Sequence, residues 1–560
     1  MNNVLISVYD KANIVHFINS LSNLNIYSTG GTYKYLDDHD LNLNKISDYT
    51  EFPEMMNGRV KTLHPKIFGG LLYDDKYEKD VKDNNIVKFN IVIINLYPFD
   101  KVYVDGTHDE CIENIDIGGV SLIRAAAKNY KNVAILTSPN QYKEFIKLFP
   151  DKITLEYRKN LARDAFNTTY KYDQLIYNWF SGFNFVQNEY RLISNLKYGC
   201  NPHQKANIYT KYNLPFKKLN GDPGYINILD AINSWNLVCE VRYSLSCICA
   251  TSYKHISPAG VAIGDTAKQA YMNARNCDPK SSFGDFIAIN TKINKECAEY
   301  IKNCVSDGII ALGYDEDALE ILNKKKGGKF IILKGYPVNF NQNNFEFREK
   351  NGVVFSQEKN NYTFSDNDLT NIVTENKEIS DDIKTDMLLA NITVKYTQSN
   401  SICFAHNNKV IGIGAGQQSR IDCVKLAKQK VITYFLRQHP TVTNLKFKKE
   451  LKNQDRINAQ IQYIEGNMSD EEYKLFMTKF TSFNKFLPDS EKQEFIKTFD
   501  NVVMSSDAFF PFRDSIDQAS MINTKYIIQP GGSIADDCVV EACNQYNICM
   551  VNTGIRLFEH

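Results

Sequence analysis

Nowhere in the 560 residues is there a run approaching the roughly 18 apolar residues that a membrane-spanning helix needs. The stretch from Ile91 to Phe99 is too short and fits a buried strand. Met1 to Asp10 has no basic start, no long apolar centre and no small-residue cleavage site, so it does not read as a secretory leader. Net charge is also missing: 65 Lys+Arg face 65 Asp+Glu. Without a global field to draw in a polyanion, neither nucleic acid nor an anionic membrane is expected as a partner. The 13 cysteines contain no C-x-x-C pair; Cys247 and Cys249 are one residue apart, and Cys538 and Cys543 four. An odd, scattered set argues for reduced thiols in a cytosol, mostly as small buried hydrophobes, rather than a disulfide framework or a zinc knuckle. What is present is core: 43% hydrophobic and 12% aromatic residues exclude a wholly disordered chain. The length suggests about three or four domains.

The first 150 residues alternate strand and helix signals. Val4–Val8 reads as a strand, and Asp10–Leu24 as a helix with Asp10 as its cap. Asn25–Ser28 and Ile91–Leu96 read as strands, Gly119–Tyr130 as a helix and Asn132–Thr137 as a strand. This alternation predicts an α/β layer with a mainly parallel sheet. Lys152–Phe180 reads as one long helix or two shorter ones, and a linker is placed near 181–192. The rest is too long for one core and carries a faint internal echo. Tyr253–Ser257 followed by Ser281–Asp285 is answered by Tyr396–Asn400 followed by Ser505–Phe509, which suggests two related α/β units. Asn343–Asp386 reads as a polar connector between them, and Lys446–Lys492 as a solvated helical face.

Several segments could carry chemistry. Thr29-Gly30-Gly31-Thr32 stands between a strand and a helix, where backbone N–H groups can approach a phosphate, although a Gly-Gly pair can equally be only a turn. Gly58 to Pro65 packs Arg59, Lys61, Thr62 and His64 together, as an anion site or as a solvated basic loop. Asp116-Ile117-Gly118-Gly119 precedes a helix on which Arg124 and Lys128 share a face, repelling each other unless an anion lies between them. Together these segments suggest a nucleotide-phosphate pocket. Further on, the adjacent Lys254 and His255 could place a cation and a base at one reacting centre or simply lie on the surface. Gly412-Ile413-Gly414-Ala415-Gly416 has Gln417 where a dinucleotide fingerprint needs its third glycine, which argues against NAD. Phe509-Phe510-Pro511-Phe512 could be core or could stack a flat heterocycle.

STGGT, GRVKTLHP, NLYPF, DIGGVSLIRAAAKN, KHISPAG, SSFGDF, KYTQSNS, GIGAGQQSR, SSDAFFPFRD and TGIRLFEH occur in one collinear order from about Val4 to Leu557. In this the chain closely resembles the bifunctional purine biosynthesis enzymes that join AICAR formyltransferase to IMP cyclohydrolase. The resemblance implies formyl transfer from 10-formyltetrahydrofolate to the 5-amino group of AICAR, then ring closure to IMP with loss of water. It implies a methylglyoxal-synthase-like parallel-sheet domain (1–185), a linker (186–192) and two cytidine-deaminase-like α/β units (193–560, divided near 345–385). The deaminase zinc signature is absent, and no catalytic metal is expected. A homodimer with formyl-transfer sites at its interface is also implied.

By the same resemblance, His255 is the base and Lys254 the electrostatic stabiliser of formyl transfer. AICAR contacts carry over as Lys197, Tyr198, His255, Gly284, Asp307, Asn400, Arg420 and Arg556, with the two arginines on the phosphate. Folate contacts carry over as Ile421, Phe509, Asp514, Ser533 and Ile534. For ring closure, Lys61, Tyr97, Asp116 and Lys128 would surround the closing ring, Lys128 transferring a proton. Ser7, Tyr9, Asp10, Lys11, Thr29, Gly30, Gly31, Thr32, Arg59, Val60 and Thr62 would hold the phosphate side, and Asn95, Leu96 and Ile117 the base. Two positions depart from the family pattern: Lys197 stands where the family has Arg, and Tyr9 where it has a small hydroxyl. Three rival readings remain: a non-catalytic nucleotide-binding regulator on the same scaffold, a formyltransferase whose cyclohydrolase half Tyr9 has weakened, and an interaction scaffold.

Overall fold

The computed structural model describes residues 2–56, 58–182, 190–340, 345–483 and 485–560. The chain divides into two compact units, Met1–Asn188 and Glu189–His560. Residues 186–189 of the expected linker lie outside the described residues, and Arg191 already begins a strand.

In the first unit, β1 (Asn2–Val8), β2 (Leu24–Ser28), β3 (Leu43–Lys45), β4 (Ile91–Asn95) and β5 (Ala134–Leu136) form an all-parallel sheet in the order β3-β2-β1-β4-β5. Ile91 to Ile94 are all buried, as expected of a β-branched parallel strand covered on both faces. The helices that matter are α1 (Ile14–Asn19), α2 (Gly30–Asp37), α3 (Gly118–Lys128) and α4 (Leu155–Ser181). The helix expected over Asp10–Leu24 shrinks to α1, because Leu24 pairs with Asn2 as the start of β2. Asp10 does not cap it; its carboxylate accepts from the Ala12 N–H at 2.9 Å, closing a tight turn. Lys152–Phe180 resolves as the single 27-residue α4, capped by the Thr154 hydroxyl accepting from the Tyr157 N–H. Strand order reverses between β1 and β4. In open parallel sheets the crevice beyond the C-terminal strand ends at such a point is where ligands bind.

The second unit is built on an eleven-stranded sheet. Its members are β6 (Phe216–Asn220), β7 (Cys249–Lys254), β8 (Ser257–Ile263), β9 (Asp285–Ile293), β10 (Ser306–Tyr314), β11 (Ile331–Gly335), β12 (Ile402–Ala405), β13 (Lys409–Gly414), β14 (Val502–Ser506), β15 (Thr524–Gln529) and β16 (Cys549–Asn552). The order is β16-β15-β14-β12-β13-β8-β7-β9-β10-β11-β6. Read outward from the central β8–β13 pair, the halves run β8-β7-β9-β10-β11 and β13-β12-β14-β15-β16, with antiparallel pairs inside and parallel pairs outside in both. Each hairpin is preceded by a helix, α5 (Tyr225–Leu245) or α7 (Asp381–Lys395), and followed by another, α6 (Ala267–Cys277) or α8 (Arg420–Leu436).

The internal echo is therefore present in topology, but the sequence segments chosen for it are out of register. Lys254-His255 lies between β7 and β8, whereas Thr397–Asn400 precedes β12; Ser281–Asp285 leads into β9, whereas Ser505–Asp507 closes β14. The connector expected over 343–386 has 343–344 outside the described residues. It then contains an exposed hairpin, Phe345–Lys350 with Val353–Glu358, and the start of α7. The charged stretch Lys446–Lys492 is solvated only on its outer side, since Tyr463, Phe476 and Leu487 are buried in core. Gly412 and Gly414 lie inside β13; a Cβ there would fall 2.6 Å from the Ala427 carbonyl oxygen and 2.4 Å from that of Cys423. They let α8 press onto the sheet and cradle no phosphate.

Candidate functional site

A cleft of about 510 Å³ opens at the C-terminal ends of the first unit's strands, lined by Ser7, Tyr9, Thr29, Gly31, Arg59, Lys61, Thr62, Asn95, Tyr97, Asp116 and Ile117 among others. The loop after β1 is set by Asn95, whose carboxamide oxygen accepts from the Tyr9 and Asp10 N–H groups at 2.7 and 2.9 Å. Tyr9 is half-exposed, edge-on to Tyr97 at 5.8 Å. Gly30 has φ +55°, and a Cβ there would stand 3.2 Å from Lys61 Nζ, so glycine lets the ammonium reach the start of α2. Thr32 is not free to donate to a ligand: its hydroxyl accepts from the Val8 N–H and donates to the Val8 carbonyl, pinning α2 to β1. Asp116 accepts from the Gly119 N–H at 2.6 Å. Burial pushes its carboxyl above the ordinary range, opposed by Gly119, Lys61 and the Tyr97 backbone.

Two carboxylates absent from the sequence reading also belong here. Glu54 accepts from the Thr29 hydroxyl and, at 3.2 Å, from the Gly30 N–H, where the α2 N-terminus favours an anion. Glu113 pairs with Arg59. Only the proximity of Glu54 to GRVKT could have flagged it, and nothing in the spacing marks Glu113. Lys128 does not join the cleft. It ends α3, about 15 Å along the helix axis from Gly118, in a separate hollow with Phe68 and Phe166. Arg124 lies there too, over the Phe166 ring at 5.5 Å, so an aromatic face receives the cation in place of the expected anion.

In the second unit, Lys254 and His255 meet a cleft of about 320 Å³ that draws Ser257 and Ser281 from one half of the sheet and Ile413, Ala415 and Leu426 from the other. Lys254 Nζ donates to the Phe283 carbonyl at 2.8 Å. His255 and Ile256 form the two-residue loop between β7 and β8, with φ of +55° and +61°. Positive φ at both positions is the type I′ pattern, in which a β-branched residue is a true outlier costing about 1–3 kcal/mol.

A family model described as AICARFT/IMPCHase bienzyme matches residues 126–430, and one described as an MGS-like domain matches 12–121. The Bifunctional purine biosynthesis protein PurH of Elusimicrobium minutum is 33% identical over 575 residues, covering 99% of this chain and 98% of its own. The protein of the same description from Clostridium botulinum (strain Hall) is 35% identical over 573 residues and covers 99% of each. The chain belongs to the AICARFT/IMPCHase bienzyme family. It is a bifunctional purine biosynthesis enzyme, an AICAR formyltransferase and IMP cyclohydrolase, and its N-terminal parallel-sheet unit carries the MGS-like domain. A crystal structure of ForH shares 28% identity over 32% of this chain and 98% of its own, with a TM-score of 0.29.

The bienzyme's remaining expected contacts are distributed over the second unit. Gly284, φ +78°, adjoins the Phe283 carbonyl that holds Lys254. Asp307 pairs with Lys326 at 2.6 Å. Lys197 Nζ lies 5.6 Å over the Tyr198 ring, and Arg556 lies 4.7 Å over Phe558. Arg420 is buried and committed: it pairs with Asp507 and donates to the Ser401 carbonyl at 3.1 Å and to Asn400 Oδ1 at 2.9 Å. Its guanidinium thereby anchors Asn400, another of the expected AICAR contacts. Phe509 is 40% exposed and Ile534 fully so; Asp514 opens a short helix, and the Ser533 hydroxyl accepts from the Ala535 N–H. Ile421 follows Arg420 in the first turn of α8.

Proposed function

We propose that ring closure takes place in the first unit's cleft and formyl transfer in the second unit's, at Lys254 and His255. What carries this reading is that two chemically different clefts, one taken from each unit, are each built on a segment collinear with the family motifs. In the first, Thr29 to Gly31 and Arg59 to Thr62 would take the phosphate, while Lys61, Tyr97 and Asp116 would face the closing ring. The carboxamide nitrogen attacks the formyl carbon within one molecule, so the enzyme mainly selects a conformer and helps expel water. A carboxyl whose pKa is raised by burial suits proton exchange at that step. Lys128 lies outside the cleft and takes no part in this reading.

In the second unit, the 5-amino nitrogen attacks the formyl carbon of 10-formyltetrahydrofolate. His255 takes the amine proton, Lys254 stabilises the oxyanion and supplies a proton, and the bond from the formyl carbon to the folate nitrogen breaks. The exposed Phe509 and Ile534, with Asp514, Ser533 and Ile421, would hold the folate donor. The mirrored strand order supports two related units of the cytidine-deaminase-like kind. A homodimer in the cytosol completes the proposal. It suits a chain whose 13 cysteines are all free and among whose described helices none is long and apolar enough to cross a membrane.

Two assays test the assignment. Supplied formylated intermediate should yield IMP with no folate donor, whereas IMP from AICAR should require one; a donor requirement in both would sink the two-site scheme. A substitution probes the first cleft further. Glu54 occupies the Gly30 N–H and the Thr29 hydroxyl that the substrate phosphate would use, so Glu54→Gln should lower the KM for ring closure by up to about fivefold, the worth of an exposed charge contact. A higher KM would mean that Glu54 shapes the cradle and does not compete for it.

A further inference from the structure

The reactive hairpin has a sister in the same chain. The β12–β13 turn carries Asn407 and Asn408, with φ of +51° and +63°, at the place where the β7–β8 turn carries His255 and Ile256. Both turns are capped from the helix that precedes their hairpin. Asp386 on α7 accepts from the Asn408 N–H at 2.7 Å, and Asp230 on α5 accepts from the Ile256 N–H at 2.8 Å. Both carboxylates are buried, 3% and 5% exposed. The difference lies in the turn residues. Asparagine tolerates the left-handed region, so the sister turn is compatible with its backbone unaided. A β-branched isoleucine at the second turn position is not, and left to itself the turn would relax and carry the imidazole away.

We propose that Asp230 is the positioning residue of formyl transfer: by fixing the Ile256 N–H, it holds the His255–Ile256 turn in a left-handed conformation that the Ile256 side chain disfavours. The imidazole is thereby kept aimed into the cleft beside Lys254. This rests on the reading of His255 as the base. Asp386 makes the same hydrogen bond to a turn that its asparagines already allow.

The experiment compares five variants of the full chain by steady-state formyl transfer. Asp230→Ala should lower kcat by about a hundredfold, the scale of a small misplacement of a reacting group, with the KM for AICAR little changed. Asp386→Ala removes the equivalent cap and should leave kcat intact. Adding Ile256→Asn to Asp230→Ala, which copies the sister turn, should restore most of the lost kcat. Ile256→Asn alone should stay near the parent. If Asp230→Ala and Asp386→Ala lower kcat alike, or if Ile256→Asn gives no rescue, Asp230 is merely structural and the inference fails. Should Asp230→Ala not fold, Asp230→Ser, too short to reach the Ile256 N–H, replaces it with the same two outcomes. His255→Ala separates the two levels: an active His255→Ala overturns the base assignment itself, whereas an inactive one beside an unimpaired Asp230→Ala overturns only the positioning role.

Discussion

Replacing His255 with alanine is expected to lower formyl transfer by about a hundred- to ten-thousandfold, the usual worth of a general base, while supplied formylated intermediate still closes to IMP at the parental rate. The two clefts belong to different units, and each is lined wholly from its own. His255 is also exposed at a hairpin tip, so its removal opens no core cavity and should not disturb folding. Separate assays of the two steps on the same preparation decide the matter. A parallel fall in both activities, in protein that remains folded, would mean one shared site. Unimpaired formyl transfer would remove His255 from the reaction and assign the base to another group.

Lys395→Met is expected to be strongly destabilising. Lys395 closes α7 and donates from Nζ to Glu240 on α5 at 2.7 Å and to the Tyr362 carbonyl at 2.7 Å; both charged side chains are buried. Glu240 also accepts from the Tyr396 hydroxyl at 2.5 Å, and its second oxygen has no partner among the described residues. Removing the ammonium leaves a buried carboxylate with one neutral donor, at a cost of about 3–5 kcal/mol. The defect should appear as a lowered denaturant midpoint for the second unit. Burial already raises the Glu240 pKa, so protonation discharges the stranded carboxylate easily. The loss should therefore shrink as pH falls and be largest at neutral and alkaline pH. Glu240→Leu combined with Lys395→Met should recover much of the stability, since apolar replacement of a buried pair is often neutral. A double variant no better than the single would place the defect in packing.

The pair matters beyond stability. Tyr396, held by Glu240, offers its carbonyl to the Tyr253 hydroxyl at 2.8 Å, and Tyr253 precedes Lys254. The helices of the two halves are thus tied to the strand that ends in the reactive turn. None of this was legible in the chain, because Glu240, Tyr253 and Lys395 are far apart in sequence and look like ordinary helix and strand residues.

Short-range patterns in the sequence were enough to specify the parallel α/β start, the long helix before the second unit and the clustering of Thr29, Arg59, Lys61 and Asp116 around one pocket. In each case the signal is local: β-branched runs, helical periodicity, or a glycine turn beside basic residues. Three-dimensional packing decided the rest. Sheet pairing shortened the first helix, since Leu24 gains more as a partner of Asn2 than as another helical turn. Helical rise carried Lys128 away from the cleft, and the burial of Asp507 claimed Arg420. The mirrored halves emerge only in strand order, a matter of hydrogen-bond pairing that side-chain patterns along the chain do not encode. The turn that presents His255 depends on a carboxylate from another element, a contact that no spacing along the chain encodes.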